Sequence, residues 1–296
     1  MKEKPFSKYQ ILANAVMIIW TLAIILPFIL LFMSSITDEN TLVANGYSFF
    51  PKKFSLASYS YIIKSGGQIL KAYGVSIGVT VVGTLLNVLL SALMAYPLSV
   101  KNLPGRNVMM FFVFFTMLFN GGIVPSYIMW TGTFHFKDTI FAQLLPNFLL
   151  SAWNVMMIRT YFTTSIPDGL YEAAEIDGAS QFTIFWKIVL PLGKPILVTM
   201  GTFAGLAYWN DWTNGLYYIV KNTGLYNVQN LLNQMVQNIQ FLTQSSNSNV
   251  TAAASTIPAT GIQMAIAFVA ILPIMLIFPS FQKYYAKGIA LGAVKG

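Results

Sequence analysis

Six stretches of this 296-residue chain carry no Asp, Glu, Lys or Arg: 9–37, 72–100, 107–136, 139–158, 195–210 and 222–282. Each holds an apolar run near or above the roughly 18–20 residues that cross a bilayer core. The last is mixed: 222–258 is polar, and only about Ile262 to Phe281 is apolar enough to span. Six helical spans are therefore predicted, at about 11–34, 72–98, 108–130, 139–161, 196–218 and 260–282. Only 9% of the residues are charged, against about a quarter in a soluble domain, which agrees with lipid as the solvent. The expected fold class is an all-α integral membrane protein.

Lys2, Lys4 and Lys8 resemble the start of a signal peptide, but the apolar run from Ile11 to Met33 exceeds a 7–15-residue signal core. Ala13-Asn14-Ala15 lies at the wrong end of that run for cleavage, so a retained helix is expected. There are no cysteines, which excludes disulfides, thiolate metal sites and cysteine nucleophiles. The single histidine, His135, removes His-rich metal sites. The net charge of +8 is explained by cytoplasmic enrichment of Lys and Arg, without nucleic acid. With the N-terminus inside, the cytoplasmic segments hold Lys2, Lys4, Lys8, Lys101, Arg106, Arg159, Lys187, Lys194, Lys283, Lys287 and Lys295. The outer segments hold Lys52, Lys53, Lys64, Lys71, Lys137 and Lys221. That is eleven against six of the seventeen, and the bias puts both termini in the cytoplasm.

The expected organisation is a cytoplasmic N-terminus (1–10), a six-helix membrane domain (11–283) and a cytoplasmic tail (284–296). Two outer segments interrupt the membrane domain. Strand- and turn-forming residues and Pro51 in 36–70 predict a small extracytoplasmic cap. In 219–258 the polar run Thr243–Thr251 predicts a flexible loop. Pro27, Pro97, Gly121-Gly122 with Pro125, Pro146 and Pro273 interrupt spans, which lipid tolerates where protein or a water-filled cavity satisfies the freed backbone. Gly74-Val-Ser-Ile-Gly78 is a GxxxG that permits close helix packing.

The cytoplasmic segment 163–195 is unusual. Four of the nine acidic residues, Asp168, Glu172, Glu175 and Asp177, fall within ten positions, against the basic bias of that side. Ser165-Ile-Pro-Asp168 predicts a capped helix start. Asp168, Glu172 and Glu175 follow at i, i+4 and i+7 on one face, and Gly178 is a suitable stop. Ser180 is placed to cap a second helix, whose Phe182, Phe185, Trp186 and Val189 share helical spacing. The expectation is a helical hairpin with an acidic face on one arm and an aromatic stripe on the other, both calling for a basic, pocketed protein surface.

Glu172-Ala173-Ala174, then Asp177-Gly178-Ala179-Ser180, then Ile188-Val189-Leu190-Pro191 resemble the EAA loop of bacterial ATP-binding cassette importers. Asn120–Tyr127, Arg159–Phe162, Trp209-Asn210, Gln282–Gly288 and Gly292–Gly296 extend the resemblance to the maltose-permease-like carbohydrate subunits, closest to the group serving oligosaccharides from complex polysaccharides. The resemblance implies a multi-pass permease of the bacterial cytoplasmic membrane, paired as a heterodimer with a second, homologous permease. Two ATPase subunits, an extracytoplasmic solute-binding protein and an oligosaccharide cargo complete the implied set. It further implies that the hairpin docks into an ATPase cleft, with Glu172, Ala173, Ala174, Asp177 and Gly178 at the contact or hinge and Phe185 and Trp186 as the knob. Tyr284, Lys287 and Lys295 of the tail would reach the ATPases.

No G-x-x-x-x-G-K-[ST] occurs; Gly193-Lys194 is followed by Pro195. The chain lacks that phosphate-cradling loop, so no cofactor is expected in it, and ATP and Mg would be bound by the partner ATPase. For the cargo path, polar groups at membrane depth with nearby indoles are the candidates: Asn120, Asn154, Trp209, Asn210, Asp211 and Trp212. An interfacial aromatic belt with helix-to-helix hydrogen bonds accounts for them equally well. Two other readings remain open on residues alone. An ion-coupled carrier would need buried ionisable groups, for which only Asp211 qualifies, and an intramembrane enzyme is disfavoured by the single His and absent Cys.

Overall fold

The computed structural model describes residues 8–64, 66–244 and 259–293. Among them there is no strand; extended pairing is confined to a bridge between Thr37 and Phe54. The helices are α1 (Lys8–Ser35), α2 (Glu39–Asn45), α3 (Ala57–Lys64), α4 (Gly66–Ser99), α5 (Arg106–Leu118), α6 (Ile123–Ile128), α7 (Phe141–Leu144), α8 (Ala152–Ser165), α9 (Asp168–Ile176), α10 (Gln181–Ile184), α11 (Leu190–Leu192), α12 (Lys194–Asn210), α13 (Thr213–Tyr218), α14 (Val228–Gln244) and α15 (Ala259–Ala293). Wider π turns continue α6 over Met129–Thr133 and join α10 to α11 over Phe185–Val189.

Three of the described helices have a straight apolar stretch long enough to cross a membrane: Tyr9–Ser35, Gly67–Ser99 and Thr260–Ile277. The expected span 108–130 is a bent pair. A second bent pair joins the hairpin's second arm to the expected span 196–218, which is itself divided into α12 and α13 at Asp211 and Trp212. Arg106–Leu118 and Ile123–Thr133 meet at 109°, and Gln181–Leu192 and Lys194–Asn210 at 78°. The first bend follows from Asn120-Gly121-Gly122: Gly122 has φ +86° and its N–H donates to Asn120 Oδ1 at 2.8 Å. At the second, a Cβ on Gly193 would stand 2.5 Å from the Phe162 ring and 2.9 Å from the Val189 carbonyl oxygen. Only glycine fits that approach. The expected span 139–161 is divided into α7 and α8 by Leu145–Ser151, which includes Pro146 and an Asn147 with φ +68°.

The chain forms two compact units, Met1–Ile69 with Leu232–Pro273, and Leu70–Leu231 with Ile274–Gly296. In the first, the apolar α1 span has none of its window buried in the chain, so lipid or another protein must cover it. The segment expected as an outer cap is mainly helical, α2 and α3, with the Thr37–Phe54 bridge as its extended part. Ile62, Ile262, Ala265 and Ile266 form its small core. Ser35 Oγ lies 2.8 Å from Tyr59 Oη. The Glu39 carboxylate accepts from the Thr260 N–H at 2.9 Å and the Gly261 N–H at 2.8 Å, capping α15 from outside the helix. An anion at a helix start is favourable, and charged hydrogen bonds are each worth about 1.5–3 kcal/mol. Glu39→Ala is therefore expected to speed amide exchange over the first turn of α15 by tenfold or more (order of magnitude from the same range), leaving exchange in α9 unchanged.

The larger unit contains the main core, with Ala92, Tyr96, Leu98, Val155, Ile158, Phe162, Ile184, Phe185 and Met200 among its buried members. The segment 219–258 contains α14 and a hydrogen-bonded turn before it; residues 245–251 of the polar run expected to be flexible lie outside the described residues. That turn is gripped by Asp138, whose Oδ1 accepts from the N–H groups of Val220 at 2.7 Å, Lys221 at 2.7 Å and Asn222 at 3.1 Å. The Asn222 bond, with those from Lys221 and Val220, holds the Asp138 carboxyl below its ordinary value. A carboxyl depressed in the folded state stabilises it above the unfolded value and loses that contribution as pH falls through the folded one. Thermal melts of Asp138→Asn should therefore show a weaker acid-side decline than those of the parent chain.

Candidate functional site

The hairpin of 163–195 forms, with each turn traceable to particular residues. Ile166 precedes Pro167 and takes an extended conformation (φ −103°, ψ 115°), as the residue before proline prefers, so α8 stops there. The expected Ser165 cap is not made. Ser165 is the last residue of α8, Pro167 occupies the cap position of α9 without a side-chain bond, and the Asp168 carboxylate instead pairs with Lys101. At the other end Gly178 has φ +76°. The Ala179 N–H reaches the Ala174 carbonyl at 2.9 Å and the Gly178 N–H the Glu175 carbonyl at 3.0 Å, a Schellman closure that needs a left-handed residue at position 178. Ser180 caps the second arm as expected, accepting from the Thr183 N–H at 3.2 Å.

The hairpin has a fastened face and a free face. On the fastened face Ala174, Ile184, Phe185 and Val189 are buried in the main core. Phe185 packs 5.4 Å from Tyr96 (centroid to centroid), and Tyr171 stacks on Tyr96 at 6.4 Å. Burial pushes the Tyr171 phenol above its ordinary value, so it stays neutral at physiological pH. On the free face lie Glu172, Ala173, Asp177, Phe182 and Trp186, with Ile176 at the turn 86% exposed. No hydrogen bond or ion pair holds Glu172 among the described residues. Phe182 and Trp186 pack edge to face at 6.0 Å. The expected knob of Phe185 and Trp186 is thus divided. Phe185 is 1% exposed and anchors the hairpin to its own chain, and the outward aromatics are Phe182 and Trp186. The buried positions of this arm are Ile184, Phe185 and Val189, so the buried stripe coincides with the expected one only at Phe185 and Val189.

The six residues expected on a cargo path belong to separate arrangements. Asn120 is exposed and closes the turn to Gly122. Asn154 is buried and donates to Asn87 Oδ1 at 2.7 Å, while Asn87 donates to the Phe148 carbonyl at 2.6 Å. Trp209 is buried; Asn210 and Trp212 are exposed. Asp211 is buried, its Oδ1 accepting from Thr213 Oγ1 at 2.6 Å and from the N–H groups of Thr213 and Asn214. It therefore starts α13. Asn227 donates to the Asp211 carbonyl at 2.7 Å, and Asn230 bonds the Trp212 carbonyl and Gln143. Asn214 joins Asn147 and the Pro146 carbonyl, each at 3.1 Å. These amides stitch the α7–α8 break to α13 and α14, as buried polar groups must be paired.

Tyr96, Gln181, Lys101, Gln143, Asn227 and Asn230 were not singled out by sequence; their partners lie far along the chain, and no local pattern marks them. The side chains of Tyr284 and Lys287, and all of Lys295, lie outside the described residues. Among the described residues no cluster of His, Cys, Asp and Glu is arranged to hold a metal ion.

Comparisons with known proteins bear on this arrangement. Residues 74–291 match the family model described as "binding-protein-dependent transport system inner membrane component". The chain is 36% identical to Protein LplC of Bacillus subtilis (strain 168), over 92% of this chain and 90% of that one. It is also 36% identical to the polygalacturonan/rhamnogalacturonan transport system permease protein YtcP of the same organism, over 97% and 98%. In three dimensions it resembles a chain from the crystal structure of a bacterial ABC transporter involved in the import of the acidic polysaccharide alginate. The TM-score is 0.79 at 26% identity, covering 95% of this chain and 100% of that one. Matched over most of its length, and with its hairpin formed, the chain belongs to the binding-protein-dependent transport system inner membrane component family.

Proposed function

We propose that this chain is one permease subunit of an ATP-driven importer of oligosaccharides released from complex polysaccharides. In this reading it crosses the bacterial cytoplasmic membrane six times, α7 and α8 together making the fourth crossing, with both termini and the hairpin in the cytoplasm. It pairs with a second, homologous permease, two ATPase subunits that hold ATP and Mg, and an extracytoplasmic binding protein. The observation that carries it is the two-faced hairpin. One face is rooted in the chain's core; the other exposes Ile176, the edge-to-face pair of Phe182 and Trp186, and Glu172, which makes no hydrogen bond or ion pair among the described residues. An exposed, unpaired carboxylate on the same hairpin face as outward apolar side chains suits docking into a basic, pocketed partner that would desolvate both.

Cargo passes by alternating access: closure of the ATPases displaces the hairpins and reopens the cavity outward. The cargo class rests on relatives named for polygalacturonan, rhamnogalacturonan and arabinooligosaccharide transport and on the alginate importer. The cargo path of this reading keeps Asn120, Asn154, Trp209, Asn210, Asp211 and Trp212, of which Asn120, Asn210 and Trp212 are exposed. Proteoliposomes holding the full complex test the reading: uptake of labelled oligogalacturonides should require internal ATP and persist with a protonophore present. Uptake without ATP that collapses with the protonophore would favour the ion-coupled carrier.

A further inference from the structure

The end of α4 is held by the hairpin. Tyr96 is 8% exposed, and its hydroxyl donates to Gln181 Oε1 at 2.6 Å. Gln181 in turn donates through Nε2 to Glu175 Oε1 at 2.8 Å. The Tyr96 ring is packed between Phe185 and Tyr171. Two residues past the end of α4, Lys101 pairs with Asp168. Both hairpin arms therefore grip one short stretch of α4, and Gln181 bridges the two arms at the point where Tyr96 enters.

The gripped stretch adjoins a weak point of the helix. Pro97 lies inside α4 directly after Tyr96, where it removes one ladder hydrogen bond and lowers the cost of bending. Toward the other end, α4 is tied to elements well away from the hairpin. Asn87 bonds Asn154 of α8 and the Phe148 carbonyl. A Cβ on Gly83 would stand 2.5 Å from the Tyr208 ring, so α12 and α4 touch there with no space between. A displacement of α4 at Tyr96 is thus passed to α8 and α12.

We infer that α4 is a second output of the hairpin, driven through the Tyr96–Gln181–Glu175 chain at the helix end that Pro97 weakens, in addition to the covalent continuation of the hairpin into α12. Tyr96 and Gln181 are positioning residues, since they touch neither cargo nor nucleotide. This rests on the reading of the hairpin as the ATPase contact.

The test is hydrogen exchange on the complete complex, nucleotide-free and trapped with ATP and vanadate, in the parent chain, Tyr96→Phe, Gln181→Met and the double variant. Tyr96→Phe removes one hydroxyl and keeps the ring packing; Gln181→Met keeps length and apolar contact. In the parent, exchange over 93–101 should differ between the two states by at least about fivefold, the weight of one net hydrogen bond. In each variant that difference should fall below about twofold, by the same measure, while the difference over 171–180, the amount of ATPase retained and the melting temperature stay as in the parent. The double variant should be no worse than either single one, as members of one chain behave. An unchanged 93–101 difference in Tyr96→Phe, additive losses, or losses that track melting temperature would overturn the inference. A parent complex with no nucleotide-dependent change over 171–180 would overturn the hairpin reading itself, and the inference with it.

Discussion

Glu172→Lys is expected to abolish ATP-driven uptake while the chain still inserts, folds and melts as the parent does. Glu172 is exposed and makes no hydrogen bond or ion pair within the described residues, so its replacement removes nothing from the chain's own fold. Surface changes of this kind usually cost within about 0.5 kcal/mol of stability. Against a basic partner groove the same change replaces an attraction by a like-charge repulsion, and truncating such a pair costs about 2–5 kcal/mol, a loss of roughly thirtyfold or more in affinity. The assay is uptake and ATP hydrolysis in proteoliposomes, with melting of the purified chain as control. Deletion of 171–180 should give the same loss of uptake. ATP-stimulated uptake retained by either variant would contradict the role given to the hairpin.

Phe185→Ala is expected to act in the opposite way, lowering stability first and function only as a consequence. Phe185 is 1% exposed, set among Ile184, Val189 and Tyr96 in the main core. Replacing a buried phenylalanine by alanine costs about 3–5 kcal/mol. Phe182→Ala, two-thirds exposed (66%), should leave the melting temperature nearly unchanged and weaken retention of the ATPase. Thermal unfolding and co-purification, measured on both variants, separate the anchor from the docking surface. Equal effects on stability at the two positions would contradict the division of the aromatic stripe.

This division shows where sequence reasoning reached its limit. Uncharged windows locate the apolar segments, because charge is costly in lipid wherever it falls. They do not report a break, so the expected spans 108–130 and 196–218 read as straight while Gly122 turns the first and Asp211 and Trp212 divide the second into α12 and α13. The window 139–158 reads like the others, yet Pro146 and Asn147 divide it and the freed polar groups are recovered by Asn214 more than sixty residues away. Within the hairpin, the Gly178 stop and the Ser180 cap were legible because both depend on one residue and its immediate neighbours. The aromatic register was not, since aromatic identity does not say which of the adjacent Phe185 and Trp186 faces the core. Ser165 carried a sound cap signal that lost to its place as the last residue of α8. The grip on Tyr96 left no trace at all: its partner Gln181 is 85 positions away, and nothing local distinguishes that tyrosine from the fourteen others.

The central claim is that this chain transports only as part of an assembly powered through its hairpin. The most direct measurement is purification of the tagged chain from native membranes in mild detergent, followed by identification of what elutes with it and an ATP-hydrolysis assay of the eluate. The account predicts a homologous permease and a nucleotide-hydrolysing subunit in stable ratio to the chain, with ATP hydrolysis in the parent and loss of the hydrolysing subunit in Glu172→Lys. A chain that elutes free of both, yet supports uptake when reconstituted alone, would contradict it.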